Sequence, residues 1–138
     1  MLDHDAIASL LPHSGSMVLL DSVQSWTDSA IVCLTGSHRT ASNPLRQNSR
    51  LSSLCGVEYG VQAMAVHGAL ISGGNPRPGL LAALRNVRCH VAYLDDIADD
   101  LSVRAMMLMG ERERFIYTFS VRGADADLLA GEAIVVLR

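Results

Sequence analysis

The sequence predicts an α+β fold in which about six antiparallel strands wrap one long central helix. Three observations carry this. One helical segment, residues 51–71, outweighs every other. Two strand-like runs precede it and about four follow. Within it Gly56, Gly60 and Gly68 fall at multiples of four, which sets them along one stripe and calls for something to pack closely there.

In chain order, Asp3 or Asp5 caps a short helix over residues 6–11, which Pro12 ends. Residues 17–26 and 30–35 read as strands, split by the turn-like cluster Thr27, Asp28 and Ser29. Residues 36–50 are polar, contain Asn43-Pro44, and read as a loop. The long helix carries Val57, Val61, Met64 and Val66 among many small residues. Residues 73–79, rich in glycine and proline, are a loop. Strands are expected at 80–93, 101–109, 115–121 and 128–137. An acidic loop at 95–100, a break at 110–114 and the turn Gly-Ala-Asp-Ala-Asp at 123–127 separate them. Residues 1–138 read as one domain.

Composition excludes several chemistries. All 11 basic residues are arginine. Without lysine no side-chain Schiff base can form, and there is no G-x-x-x-x-G-K-[ST] phosphate loop. A formal charge of −3 gives no reason to expect nucleic acid. No uninterrupted apolar run approaches the ~18 residues of a membrane span. The first 15 residues lack the basic cluster of a signal peptide, which points to the cytoplasm. Cys33, Cys55 and Cys89 have no C-x-x-C spacing, so neither a disulfide framework nor a structural zinc is expected, and all three read as buried thiols. An apolar fraction of 49% suggests a subunit interface, an acyl-sized pocket, or both.

Two motifs carry more. Residues 7–21 read I-A-S-L-L-P-H-S-G-S-M-V-L-L-D, and residues 56–65 read G-V-E-Y-G-V-Q-A-M-A. Together they resemble the β-hydroxyacyl-acyl-carrier-protein dehydratases of the FabZ/FabA type. In that family an I-x-x-x-L-P-H segment leads into the first strand, and an E-x-x-A-Q signature lies on the central helix. The likeness is strongest to the ApeP-like branch, associated with aryl polyene pathways, where an A-x-H follows the glutamine, as in Ala65-Val66-His67. The resemblance implies a hotdog fold and dehydration of a 3-hydroxyacyl thioester, on acyl carrier protein or CoA, with a fatty or polyketide-type chain. It also implies pairing of two protomers and no metal or redox cofactor.

That reaction needs a base for the α-proton, an acid for the departing hydroxyl, and donors for charge growing on the thioester oxygen. Oxyanion donors commonly sit at a helix N-terminus. Glu58, on an otherwise apolar helix, suits the acid if burial raises its pKa. Gln62 lies four residues on, on the same face, and the resemblance gives it the task of orienting Glu58. The family's base is a histidine just ahead of a proline in the loop before the helix. Asn43 stands there in this chain, and an amide cannot abstract a proton. Weak or absent activity of a homodimer is therefore expected, and Asn43→His is expected to raise it if Glu58 is poised.

His38 enters the same loop and is a substitute candidate. His13, in the L-P-H segment, either braces the N-terminal turn or serves in catalysis. His67 is nine residues from Glu58, half a helical turn away in azimuth, and reads as packed. His4 and His90 read as structural. In this family each site takes its histidine from one chain and its carboxylate from the other. A chain lacking the histidine can still lend Glu58 to a related partner. A thioesterase on the same fold, using Glu58 as base or nucleophile, is the other reading. Arg85 and Arg88, with Arg104, are expected near the mouth, where an acidic carrier or a phosphate would suit guanidinium. Met106, Met107 and Met109 are candidates for the wall of an acyl tunnel.

Overall fold

A computed structural model describes residues 1–12, 15–75 and 79–137, with only the backbone at Ser16. Helix α1 (His4–Leu10) and a 3-10 turn at Gly15–Met17 lead to β1 (Ser22–Trp26) and β2 (Ala30–Thr35). The long helix α2 (Gly56–Ile71) comes next. Strands β3 (Gly79–Cys89), β4 (Leu101–Glu111), β5 (Arg114–Gly123) and β6 (Ala126–Leu137) complete the chain. One antiparallel sheet runs β1-β2-β4-β5-β6-β3 and curls round α2, which is the hotdog fold.

Alternation decides what each strand contributes. In β2, Ile31, Cys33 and Thr35 are buried; in β4, Leu101, Val103 and Ala105; in β5, Tyr117, Phe119 and Val121. These face α2, which answers with Tyr59, Ala63, Met64 and Val66. Ser53–Ile71 has the length and hydropathy of a membrane span, but 56% of that stretch is buried within the fold, as in a core helix. Asp3, not Asp5, caps α1 by accepting from the Ala6 N–H at 2.9 Å. The β5–β6 hairpin turns on Ala124 and Asp125, with φ of 52° and 62°, the left-handed pair of a tight two-residue turn.

Helix α1 is His4–Leu10 rather than 6–11, and β3 ends at Cys89 rather than at 93. Two further boundaries differ for a hydrogen-bonding reason. Residues 51–55 do not join α2 as helix. Ser53 N–H donates to the Ala92 carbonyl and Leu94 N–H to the Leu51 carbonyl, so the segment is held as a bridge to residues 92–94 and then tightens into a 3-10 turn over Ser53–Cys55. Residues 17–21 do not join β1. Side chains satisfy the backbone of Leu19 at the middle of the segment: its N–H donates to Gln62 Oε1 at 2.9 Å, and its carbonyl accepts from Ser37 Oγ at 2.7 Å.

The glycines of α2 have different causes. A Cβ at Gly60 would sit 2.5 Å from the Phe119 ring, so the close approach is real there. At Gly56 the nearest atoms, on Leu129 and Val121, are 3.4 Å away, ordinary contact. At Gly68 a Cβ would meet nothing within 4 Å, so no neighbour explains it. Gly60→Ala should therefore destabilise by about 1–3 kcal/mol through overpacking, while Gly68→Ala should stabilise by up to about 1 kcal/mol. Chemical denaturation of the two variants checks the contrast in sign.

Strand β3 is a sheet edge: it pairs only with β6, leaving its other side without a strand among the described residues. Its first half holds Leu80, Leu81 and Leu84, all substantially exposed.

Candidate functional site

Glu58 lies in the first turn of α2. It is exposed, and among the described residues it makes no hydrogen bond or ion pair. The burial expected from its apolar helix is therefore not provided by this chain. Gln62 does not orient it. Gln62 is completely buried; its Oε1 accepts from Leu19 N–H and its Nε2 donates to the Met17 carbonyl. Both ends of the amide are spent on fastening the segment that follows α1 to the central helix. The N–H groups that lead into the helix, up to its first residue, are engaged. The N–H groups of Ser53, Leu54, Cys55 and Gly56 donate to the Ala92 carbonyl, Ser52 Oγ, the Ser52 carbonyl and the Ser53 carbonyl respectively.

Asn43 is buried at the centre of a polar network. Its Nδ2 donates to the Ser37 carbonyl and to Tyr59 OH, both at 3.0 Å, and its Oδ1 accepts from Leu45 N–H at 2.9 Å. The directions beyond it are fixed by chemistry. Ser37 Oγ must donate to the Leu19 carbonyl, so the Tyr59 hydroxyl, 2.8 Å away, donates to Ser37. Burial pushes the Tyr59 phenol up, against the opposing pull of Ser37 and Asn43. The amide at the expected base position is thus a structural hub linking loop, helix and the segment after α1. Tyr59 and Ser37 were not singled out from sequence; the only signal was a tyrosine adjoining Glu58.

His38 is fully buried in a 3-10 turn at Ser37–Arg39. Its Nε2 donates to the Ile97 carbonyl at 2.9 Å, and its Nδ1 has no partner among the described residues. No hydrogen bond connects it to Glu58. The loop it belongs to is clasped to the acidic loop. Arg39 reaches Asp100 at 2.6 Å, and Arg50 reaches Asp95 at 2.9 Å and Asp96 at 2.7 Å. Burial pushes the Asp95 carboxyl up, but the Leu51 N–H and Arg50 outweigh it and hold it below the usual carboxylate range. His67 is buried on the far side of α2. Its Nε2 donates to the Thr27 carbonyl at 2.9 Å, so Nδ1 accepts from the Tyr117 hydroxyl at 2.7 Å. His13 lies outside the described residues. His4 contacts the Val18 carbonyl, and His90 is exposed just past β3.

Burial lowers the pKa of both His38 and His67, against the carbonyls of Ile97 and Thr27, which raise it. The fold therefore disfavours protons that the unfolded chain binds below about pH 6.5. Stability is full above that value and falls as the pH drops toward the folded pKa values. Asp95 acts lower down, its contribution being lost as pH falls through the carboxylate range. Thermal melts across decreasing pH should show a first decline near about pH 6 and a second in the carboxylate range.

Arg85, Arg88 and Arg104 are not beside α2. Arg104 alternates with the inward Val103 and Ala105 and so points to the sheet's outer face. There it shares a broad groove with Arg88, Met106, Thr118 and Ser120. Arg85 is exposed on the edge strand opposite Glu132. Met106 and Met109 are exposed, and only Met107 packs against the core. The methionine that faces a cavity is Met64. That apolar cavity, about 120 Å³, lies between the second half of α2 and strands β3, β5 and β6, with Val61, Ala65 and Gly68 on its helix side. Among the described residues no three His, Cys, Asp or Glu side chains are grouped as metal ligands would be. The thiols also differ from expectation. Cys33 is buried, its pKa pushed up to about 12 by burial, whereas Cys55 is half-buried and Cys89 exposed. The Cys55 thiol is raised by burial and then by Glu58, the opposite of an activated nucleophile.

No curated protein sequence matches the chain. Similar solved structures share the fold. The dehydratase heterocomplex ApeI:P from Xenorhabdus doucetiae superposes with a TM-score of 0.83 at 22% identity, over 100% of this chain and 92% of that one. A hypothetical thioesterase with coenzyme A from Streptococcus pneumoniae gives 0.62 at 11%, over 85% and 84%. A thioesterase from Haemophilus influenzae gives 0.61 at 9%, over 85% and 77%. The ApeP dehydratase profile matches residues 5–137, nearly the whole sequence, and the chain belongs to the ApeP-like dehydratase family.

Proposed function

We propose that this chain is the acid-bearing half of a two-chain 3-hydroxyacyl-thioester dehydratase. Glu58 protonates the departing hydroxyl, and a second, histidine-bearing hotdog chain supplies the base. One observation carries the reading: Glu58 stands exposed and unpaired at the start of the central helix, while the base position is an amide locked into a buried network. An exposed carboxyl gains the desolvation that an acid needs near neutral pH only when another surface covers it. The open edge of β3, with its exposed leucines, supports pairing with a second sheet. The ApeI:P structure is, by its own description, a dehydratase heterocomplex, which supports a partner that is related rather than identical. The substrate is an acyl thioester on carrier protein or CoA, and the exposed Arg85, Arg88 and Arg104 are the cations we assign to an acidic carrier.

The test mixes purified chain with a histidine-bearing hotdog dehydratase subunit and follows enoyl-thioester absorbance. The complex should turn over a 3-hydroxyacyl thioester, and the chain alone should do so weakly or not at all. Fast turnover by the chain alone would overturn the two-chain reading. Release of free thiol without the enoyl chromophore would replace it with a thioesterase.

A further inference from the structure

We infer that Gly68 sets the depth of an acyl-tail pocket, and so acts as a chain-length determinant; this rests on the thioester reading above. The glycine lies inside α2, where it costs about 1 kcal/mol relative to alanine. No close approach accounts for it, since a Cβ there would meet nothing within 4 Å. What it borders instead is the cavity of about 120 Å³. That volume is close to the roughly 150 Å³ of an engineered apolar cavity that stays dry and admits benzene. The remaining wall is apolar, with Phe115, the Tyr117 ring, Met64, Leu81 and Val135 around it. The Tyr117 hydroxyl is engaged by His67 Nδ1, so the ring is held in place as a wall.

Position relative to Glu58 identifies the occupant. Val61, Ala65 and Gly68 follow Glu58 by three, seven and ten residues, which keeps them on its side of the helix. At 1.5 Å per residue, Gly68 lies about 15 Å along the axis from Glu58. A thioester reacting at Glu58 therefore has an apolar slot into which its tail can run, and the missing side chain of Gly68 leaves the far end open. The pocket takes the unbranched apolar tail of a medium-length acyl chain.

The experiment measures binding, not turnover. Isothermal titration of the complex with the histidine-bearing subunit uses saturated acetyl, hexanoyl and decanoyl thioesters of pantetheine, for the native sequence, Gly68→Ala and Gly68→Leu. The native complex should bind decanoyl at least tenfold tighter than acetyl. Gly68→Leu should erase that preference, leaving acetyl binding unchanged, and Gly68→Ala should weaken it partly; circular dichroism checks that both variants fold. A decanoyl preference that survives Gly68→Leu, or no preference in the native complex, overturns the pocket alone. Failure of the native complex to bind even the acetyl thioester overturns the thioester reading beneath it.

Discussion

Glu58→Gln is expected to cut enoyl formation by the proposed complex of this chain with a histidine-bearing subunit by ~10²–10⁴, with the melting temperature of the chain unchanged. Glutamine keeps the shape and polarity of the side chain and removes only the proton it can give. The side chain is exposed and makes no hydrogen bond within the chain, so its replacement leaves nothing unsatisfied in the fold. Loss of activity with retained stability and retained pairing therefore isolates a chemical role. Steady-state absorbance kinetics, with the complex verified by size-exclusion chromatography, is the measurement. Undiminished turnover would remove Glu58 from the mechanism.

Gln62→Leu should do the reverse and strike the fold first. The side chain is fully buried and both ends of its amide are occupied. Leucine is close in volume but leaves the Leu19 N–H and the Met17 carbonyl without partners, at about 1–3 kcal/mol for each group that stays buried. Denaturant unfolding should show a lower midpoint at unchanged slope. A double-mutant cycle with Glu58→Gln separates bracing from orienting. A brace gives additive stability effects, whereas direct contact with Glu58 gives coupling.

Element order, the antiparallel sheet and the central helix were legible in the sequence because they follow from alternation and helical periodicity, which are local. The site was legible only in part. Glu58 can be picked out as a carboxylate on an apolar helix, and the amide at 43 as the wrong chemistry for a base. What the sequence could not display is how the neighbours use these groups. Gln62 shares a helix face with Glu58, yet its partners come from more than forty residues earlier in the chain. Asn43 reads as a lost histidine, but it is also the centre of three hydrogen bonds. A histidine placed there cannot donate to both Ser37 and Tyr59 while accepting from Leu45. Asn43→His alone is for that reason expected to lower stability before it can raise activity. Gly68 looked equivalent to Gly60 by spacing, and only the atoms around each distinguish tight packing from empty space.

The edge of β3 has a consequence for how the chain can be made. Its leucine-bearing first half carries no charge, and its free backbone groups offer a template to any passing strand. Subunit dosage then becomes a solubility matter. Synthesised in excess over whatever covers that edge, the protein should accumulate as aggregates, and co-expression with the covering chain should return it to the supernatant.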